Sequence, residues 1–343
     1  MAHAASRPAL VTPVLVGGSL ILLVGFAVRS SFGVFQIPVA EAFDWPRSAF
    51  SLAIAIQNLA WGFGQPFFSA IAERFGDRRA IVLGAVLYAL GLVLSAYSVT
   101  PMGHQVWNVL IGCGIAGTGF GVIIALVGRA AADEHRSMAL GIATAAGSAG
   151  QIVGPPAAEL LLGIMDWPGV FLVFAGVVLS CLLLLPMIET PERAAQARSG
   201  PDEGMGTVLA RALRDPSFTL IFVGFFSCGY QLGFITAHFP AFVAEMCGPV
   251  DSGGVLAGLG IDSTSALGAW ALALIGLANI GGTLLAGRLG ATYSKKYLLS
   301  GDYAGRTLLA AWFILTPITP LTVVVFSVLM GALWLATVPL TSG

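Results

Sequence analysis

Apolar residues fall along this chain in long runs, separated by short stretches of charged residues, glycine and proline. Runs of the required length lie near 11–39, 49–70, 80–99, 105–128, 138–163, 168–188, 217–243, 266–288, 297–316 and 320–342. A helix needs roughly 20 apolar residues to cross a hydrocarbon core about 30 Å thick. The pattern therefore predicts an all-α, polytopic membrane protein with ten spans. The first run is too long for a secretory signal, carries Arg29 and lacks a small-residue cleavage site before the next element, so it reads as an uncleaved span. Composition agrees. The 343 residues are 57% hydrophobic and 10% charged, with a mean hydropathy of +0.89. A soluble domain carries roughly 25% charge, and a surface this poor in polar groups needs lipid as its solvent.

The cations give the spans a direction. Of 16 Lys and Arg, 13 sit on alternate connections or at their edges: Arg7, Arg74, Arg78, Arg79, Arg129, Arg136, Arg193, Arg198, Arg211, Arg214, Arg288, Lys295 and Lys296. The opposite connections hold only Arg47, while Arg29 and Arg306 fall inside spans. This predicts a cytoplasmic N-terminus and a multi-pass protein of the cell membrane. The longest polar stretch, 189–215, divides the chain into a six-helix half over 1–188 and a four-helix half over 216–343, and it reads as a central cytoplasmic linker. With 16 basic against 17 acidic residues, there is no basic field for nucleic acid. Cys113, Cys181, Cys228 and Cys247 have no paired spacing, which argues against zinc and against a disulfide framework.

The two halves carry traces of one repeat. RSSFGVFQIPVAEAF from Arg29 lies over QLGFITAHFPAFVAE from Gln231 at an offset of 202, pairing Phe32 with Phe234 and Pro38 with Pro240. One span later SAIAERFGDRR (69–79) lies over GRLGATYSKKY (287–297) at an offset of 218. The longer outer loop 244–265 absorbs the 16-residue difference. Internal repeats of this kind are a usual construction of secondary carriers.

These motifs resemble the major facilitator superfamily. Its loop signature G-x-x-x-D-R-x-G-R-R between spans two and three is matched by Ser69, Glu73, Arg74, Gly76, Arg78 and Arg79. Asp77 is a departure that pushes the basic pair one place along, and Ser294, Lys295 and Lys296 belong to a degenerate second copy. In span five, Gly150, Gly154, Pro155 and Pro156 resemble the Gly-Pro motif of that family. Small residues four apart let helices approach closely, and the prolines are expected to bend the span. Phe43, Trp45 and Arg47, with the 228–240 segment of span seven, resemble bacterial relatives of the monocarboxylate and oxalate/formate carriers. Those carriers hold a carboxylate with an arginine in span eight, where this chain offers Asn279. The arginine that many members carry in span four is also missing, with Asn108 near its place.

Ionisable residues at membrane depth cost about 2.5 to 3.5 kcal/mol each on insertion scales and are functional candidates. Arg29 lies about 18 residues into its span, and its planar fork suits a carboxylate. Its alternatives are a buried partner such as Glu159, or snorkelling. His238 and Glu159 are candidates for proton coupling. Asp302 and Arg306, spaced i, i+4, are expected to neutralise each other. Gln57, Asn58, Gln151, Gln231 and Asn279 can line a cavity or bond between helices, and Gln231 lies over Arg29 in the repeat.

Residues and resemblance together imply alternating access of a small organic anion, with Arg29, Gln231, His238, Asn279, Gln57 and Asn58 as candidate contacts. The 69–79 loop would serve as a latch. No cofactor is expected, and no convergent cluster suggests a membrane enzyme. A proton or counter-anion is the expected co-substrate, the bilayer the surroundings, and a monomer the expected state. The resemblance implies twelve spans, two more than the chain supplies. The alternative is therefore a non-transporting sensor or an inactive, truncated carrier.

Overall fold

The computed structural model describes residues 10–132, 134–188, 205–251 and 253–337. Of the predicted linker, residues 189–204 lie outside them. Among the described residues, helix occurs in each of the ten runs. The first holds α1 (Pro13–Ser31), a 3-10 turn (Phe32–Phe35) and α2 (Gln36–Phe43). Then come α3 (Arg47–Phe75) and α4 (Asp77–Ala96), with α5 (Pro101–Thr118) and α6 (Phe120–Ala130) sharing the fourth run. Next are α7 (Arg136–Leu162) and α8 (Trp167–Ser180), the latter extended by a 3-10 segment (Cys181–Met187). The short α9 (Met205–Arg214) precedes α10 (Pro216–Met246), and α11 (Val255–Gly258) lies in the loop before α12 (Thr264–Thr292). The last two are α13 (Lys295–Leu315) and α14 (Pro320–Leu333).

Six stretches are long and apolar enough to cross a membrane: Pro13–Phe43, Asp77–Ala96, Pro101–Ala130, Trp167–Met187, Pro216–Met246 and Thr264–Gly290. The helices α3, α7 and α13 are long but more polar, and α14 has 14 residues. No strand occurs among the described residues.

The helix starts are written locally. Thr100, Asp166, Asp215 and Thr319 each cap a helix through a side-chain oxygen, and each is followed within two residues by a proline. The cap satisfies an orphan N–H, and the proline lacks one at a position where none is needed. One residue, Gly76, separates α3 from α4. Its φ of 97° lies in the left-handed half of the map, where a Cβ would be strained.

The described helices form two compact units, and Ser31–Gln36 groups with the second rather than with its neighbours in sequence. In the first unit, α5 packs on α3 and α4, and α4 packs on α8. Its core includes Ile21, Leu22, Ile81, Ile123 and Leu126. In the second, α12 packs on α10 and α14, around Leu267, Phe313, Phe326 and Met330. Large apolar side chains also face outward: Phe63 is 74% exposed, Phe67 70%, Leu220 74% and Phe226 69%. A water-soluble monomer rarely displays such surface, whereas a bilayer matches it.

Candidate functional site

In the first unit, the candidate site is built around Arg29 near the end of α1. Its terminal nitrogen donates to Asn58 Oδ1 on α3 at 3.0 Å. Asn58 is itself oriented, because its Nδ2 donates to the Ile54 carbonyl at 2.9 Å. The guanidinium carbon stands 4.4 Å from the centre of the Trp61 ring and 5.8 Å from that of Phe26. Phe26 in turn meets Trp61 edge-on at 6.3 Å and Phe120 at 4.5 Å. A cation near aromatic faces is stabilised by their quadrupoles, and no carboxylate is among the described contacts of Arg29. The expected alternative pairing with Glu159 is not among the described contacts of Arg29.

Three buried polar atoms on α3 lack a hydrogen-bond partner: Gln57 Nε2, Trp61 Nε1 and Gln65 Oε1. Positions 57, 61 and 65 repeat every four residues, so they share one helix face. That face meets the fourth run where it breaks at Gly119. The indole nitrogen would stand 3.6 Å from a Cβ at Gly119, and a Cβ at Gly121 would overlap Gln65 Oε1. Two unmatched donors thus accompany the arginine fork, a set suited to an anion. Trp61 and Gln65 were missed as polar contacts by sequence reasoning. Their spacing of four and eight residues from Gln57 was the available signal.

The glycines of α7 perform the expected packing. A Cβ at Gly150 would overlap the Leu23 carbonyl, and one at Gly154 the Ala27 carbonyl. This close approach holds the backbone of α1 two residues before Arg29. The helix runs unbroken through Pro155 and Pro156. Glu159 is half-buried beyond them.

The charged loop differs in detail from the family pattern. Asp77, the departure, is the buried acid: it is 1% exposed and paired with Arg129 of α6 at 2.5 Å. Arg78 donates through Nε to the Ile188 carbonyl and reaches the Pro186 carbonyl at 3.5 Å. Glu73, Arg74 and Arg79 are exposed, with Arg74 lying 5.4 Å from the Phe75 ring centre, and Ser69 is half-buried. Placement at the first residue of α4 made Asp77 the buried partner, and a motif comparison did not register it.

In the second unit, His238 Nδ1 lies 3.2 Å from Gln36 Nε2. These are the positions superposed by the 202-residue repeat. Phe234 is 4.9 Å from the His238 ring and 6.3 Å from Tyr230. Gln231, two turns earlier on α10, is half-buried on the same face. Asn279 has a different occupation. Its oxygen accepts from the Leu335 backbone at 3.0 Å and from Thr283 Oγ1 at 3.1 Å, just beyond the end of α14. Arg306, 1% exposed, pairs with Asp302 at 3.0 Å as expected. It also donates to the carbonyls of Leu333 and Trp334, and to Cys228 Sγ at 3.2 Å. Those extra acceptors were invisible in the i, i+4 spacing.

With helices, exposed apolar faces and the charged loop in view, the comparisons with known proteins are specific. The sequence profile of the Major Facilitator Superfamily matches residues 18–343, and the chain belongs to that family of multi-pass membrane transporters. It is similar to the uncharacterized MFS-type transporter YcxA of Bacillus subtilis, 29% identical over 61% of this chain and 52% of that one. It is also similar to monocarboxylate transporter 13 of Bos taurus, 29% identical over 59% and 48% of the two chains. The chain thus spans about half the length of these curated relatives. The same fold is seen in the nucleoside transporter NupG, with a TM-score of 0.73 at 13% identity over 94% of this chain and 80% of that one. The xylose transporter XylE from E. coli gives 0.70 at 15% identity over 96% and 86%.

Proposed function

We propose that the protein is a secondary carrier of a small organic anion, preferentially a monocarboxylate, working by alternating access. The observation that carries this reading is Arg29. Its guanidinium is oriented by Asn58 and stacked on Trp61, with the unmatched donors Gln57 Nε2 and Trp61 Nε1 on the same α3 face. Relatives named monocarboxylate transporters support the substrate class. Gln231 and His238 are proposed as contacts from the second half, with His238 and Glu159 as routes for a coupled proton; a counter-anion is the other candidate co-substrate. Asn279 is left out, because its oxygen holds backbone.

The remaining assignments follow the charge pattern. The N-terminus is placed in the cytoplasm of a cell-membrane monomer, with halves at 1–188 and 216–343 joined by the 189–215 linker. The 69–79 loop is the cytoplasmic latch, held through Asp77–Arg129 and Arg78. The test is uptake of a labelled monocarboxylate into proteoliposomes. Loss of a charge-assisted hydrogen bond is worth about 1.5 to 3 kcal/mol, so Arg29→Ala is expected to reduce uptake at least about tenfold. Uptake by Arg29→Ala equal to that of the parent overturns the assignment.

A further inference from the structure

The short α9 has no part in the anion site, and its residue pattern differs from that of the spans. In its ten residues, MGTVLARALR, the helical period sets positions 205, 208, 209 and 212 on one side and Thr207, Arg211 and Arg214 on the other. Arg211, Leu213 and Arg214 are exposed, Leu213 by 52%. The helix is too short to cross a membrane, yet it stands directly before a span. Asp215 is extended, with ψ 116°, and caps α10 by accepting from the Ser217 N–H at 2.8 Å. The chain therefore turns at Asp215, and α9 does not continue the α10 axis. Thr219 Oγ1 donates to the Leu213 carbonyl at 3.2 Å, which ties the last turn of α9 to the first turn of α10.

That tie fixes the depth of α9. From its third residue, α10 exposes Phe218, Leu220, Ile221, Phe222 and Val223, and at 100° per residue these point all round the helix. A helix apolar on every side needs hydrocarbon around it. The hydrocarbon thus begins within about one turn of Asp215, and α9, about 15 Å long, falls in the headgroup layer. The same end of the unit carries Arg288 in the last turns of α12, and Lys295 and Lys296 at the start of α13, all exposed. The carboxylate next to α9, that of Asp215, is occupied by its cap. We propose that α9 is a docking surface for an anionic phospholipid. The headgroup phosphate would lie between Arg211 and Arg214, with the acyl chains along the exposed apolar start of α10. Residues three apart are neighbours on a helix surface, and a guanidinium fork matches phosphate geometry. Leu213 and Phe218 offer apolar surface beside that fork, so one amphiphile satisfies both kinds of group. A zwitterionic lipid brings the same phosphate with a compensating ammonium, so the two arginines favour the anionic headgroup.

The test needs no transport and does not depend on the solute carried. Full-length protein in neutral detergent is titrated with phosphatidylglycerol or phosphatidylcholine of identical acyl chains, and retained lipid is read by native mass spectrometry. A cation at an anionic membrane surface contributes about fivefold to binding. Arg211→Gln and Arg214→Gln should therefore each weaken phosphatidylglycerol about fivefold, and the pair together about 25-fold, with phosphatidylcholine unchanged. Replacing both by lysine should keep most of the preference, since the charge remains. Leu213→Ser should weaken both lipids. Lys295→Gln with Lys296→Gln should change little; a loss equal to that of the arginine pair assigns the preference to the general positive field and overturns the site. Glycerophosphoglycerol, the same headgroup without acyl chains, should fail to displace phosphatidylglycerol. Displacement at equal concentration marks a soluble-anion site and overturns lipid docking, as does equal binding of the two lipids by the parent.

Discussion

Two arginines lie at membrane depth in this protein, one in each unit, and their surroundings differ in kind. Arg306 is buried and its donors are spent on Asp302, on the carbonyls that follow α14 and on Cys228. Arg29 gives one donor to Asn58 and otherwise rests on aromatic rings. Both residues meet the same insertion cost, so cost alone does not separate structural from functional charge. What separates them is how many of the donors the protein itself consumes. Arg306 is neutralised in place and ties three segments of its unit together. Arg29 is oriented but lacks a carboxylate, which a substrate can supply.

The contrast can be broken most sharply at Arg306. Arg306→Leu strands a buried Asp302 carboxylate and is expected to cost about 3 to 5 kcal/mol of stability, whereas the double replacement with Asp302→Leu recovers most of it. Thermal unfolding in detergent reads both, and a single variant as stable as the parent refutes the bracing role. A smaller effect is expected at Asn58. Asn58→Ala removes the charge-assisted bond that aims Arg29, worth about 1.5 to 3 kcal/mol. It should raise the half-saturating substrate concentration at least about tenfold while leaving the melting temperature near that of the parent.

Packing gives the next term. Gly154→Val forces α7 away from Ala27, and overpacking of this kind costs about 1 to 3 kcal/mol. It should lower both stability and uptake, since α1 carries Arg29; a loss of stability with intact uptake would uncouple the crossing from the site. The smallest effect belongs to the stacked ring. Trp61→Leu keeps an apolar contact but removes the cation–π term, about 0.5 to 2 kcal/mol. Uptake should fall severalfold at subsaturating substrate with unchanged expression, and Trp61→Phe should restore part of it.

Much of the architecture was legible before any coordinates. Apolar runs of spanning length and the small residues of α7 are written in neighbouring residues, because helix formation and membrane partition act over stretches of about 20 residues. The Asp302–Arg306 pair was legible for the same reason, as an i, i+4 contact on one helix. Asn58 was named as polar at depth, but that it faces Arg29, 29 positions away, was not.

The sequence by itself determined that this chain partitions into lipid as a bundle of helices, and which few polar groups enter with it. Only the tertiary structure decided how those groups are used. Asn279 serves a backbone N–H, Asp77 takes Arg129, and His104 is enclosed by rings from two helices and a turn. The physical reason is that burial and hydrogen-bond saturation depend on atoms brought together from distant segments, and one-dimensional periodicity records the face on which a residue lies but not the partner it meets there.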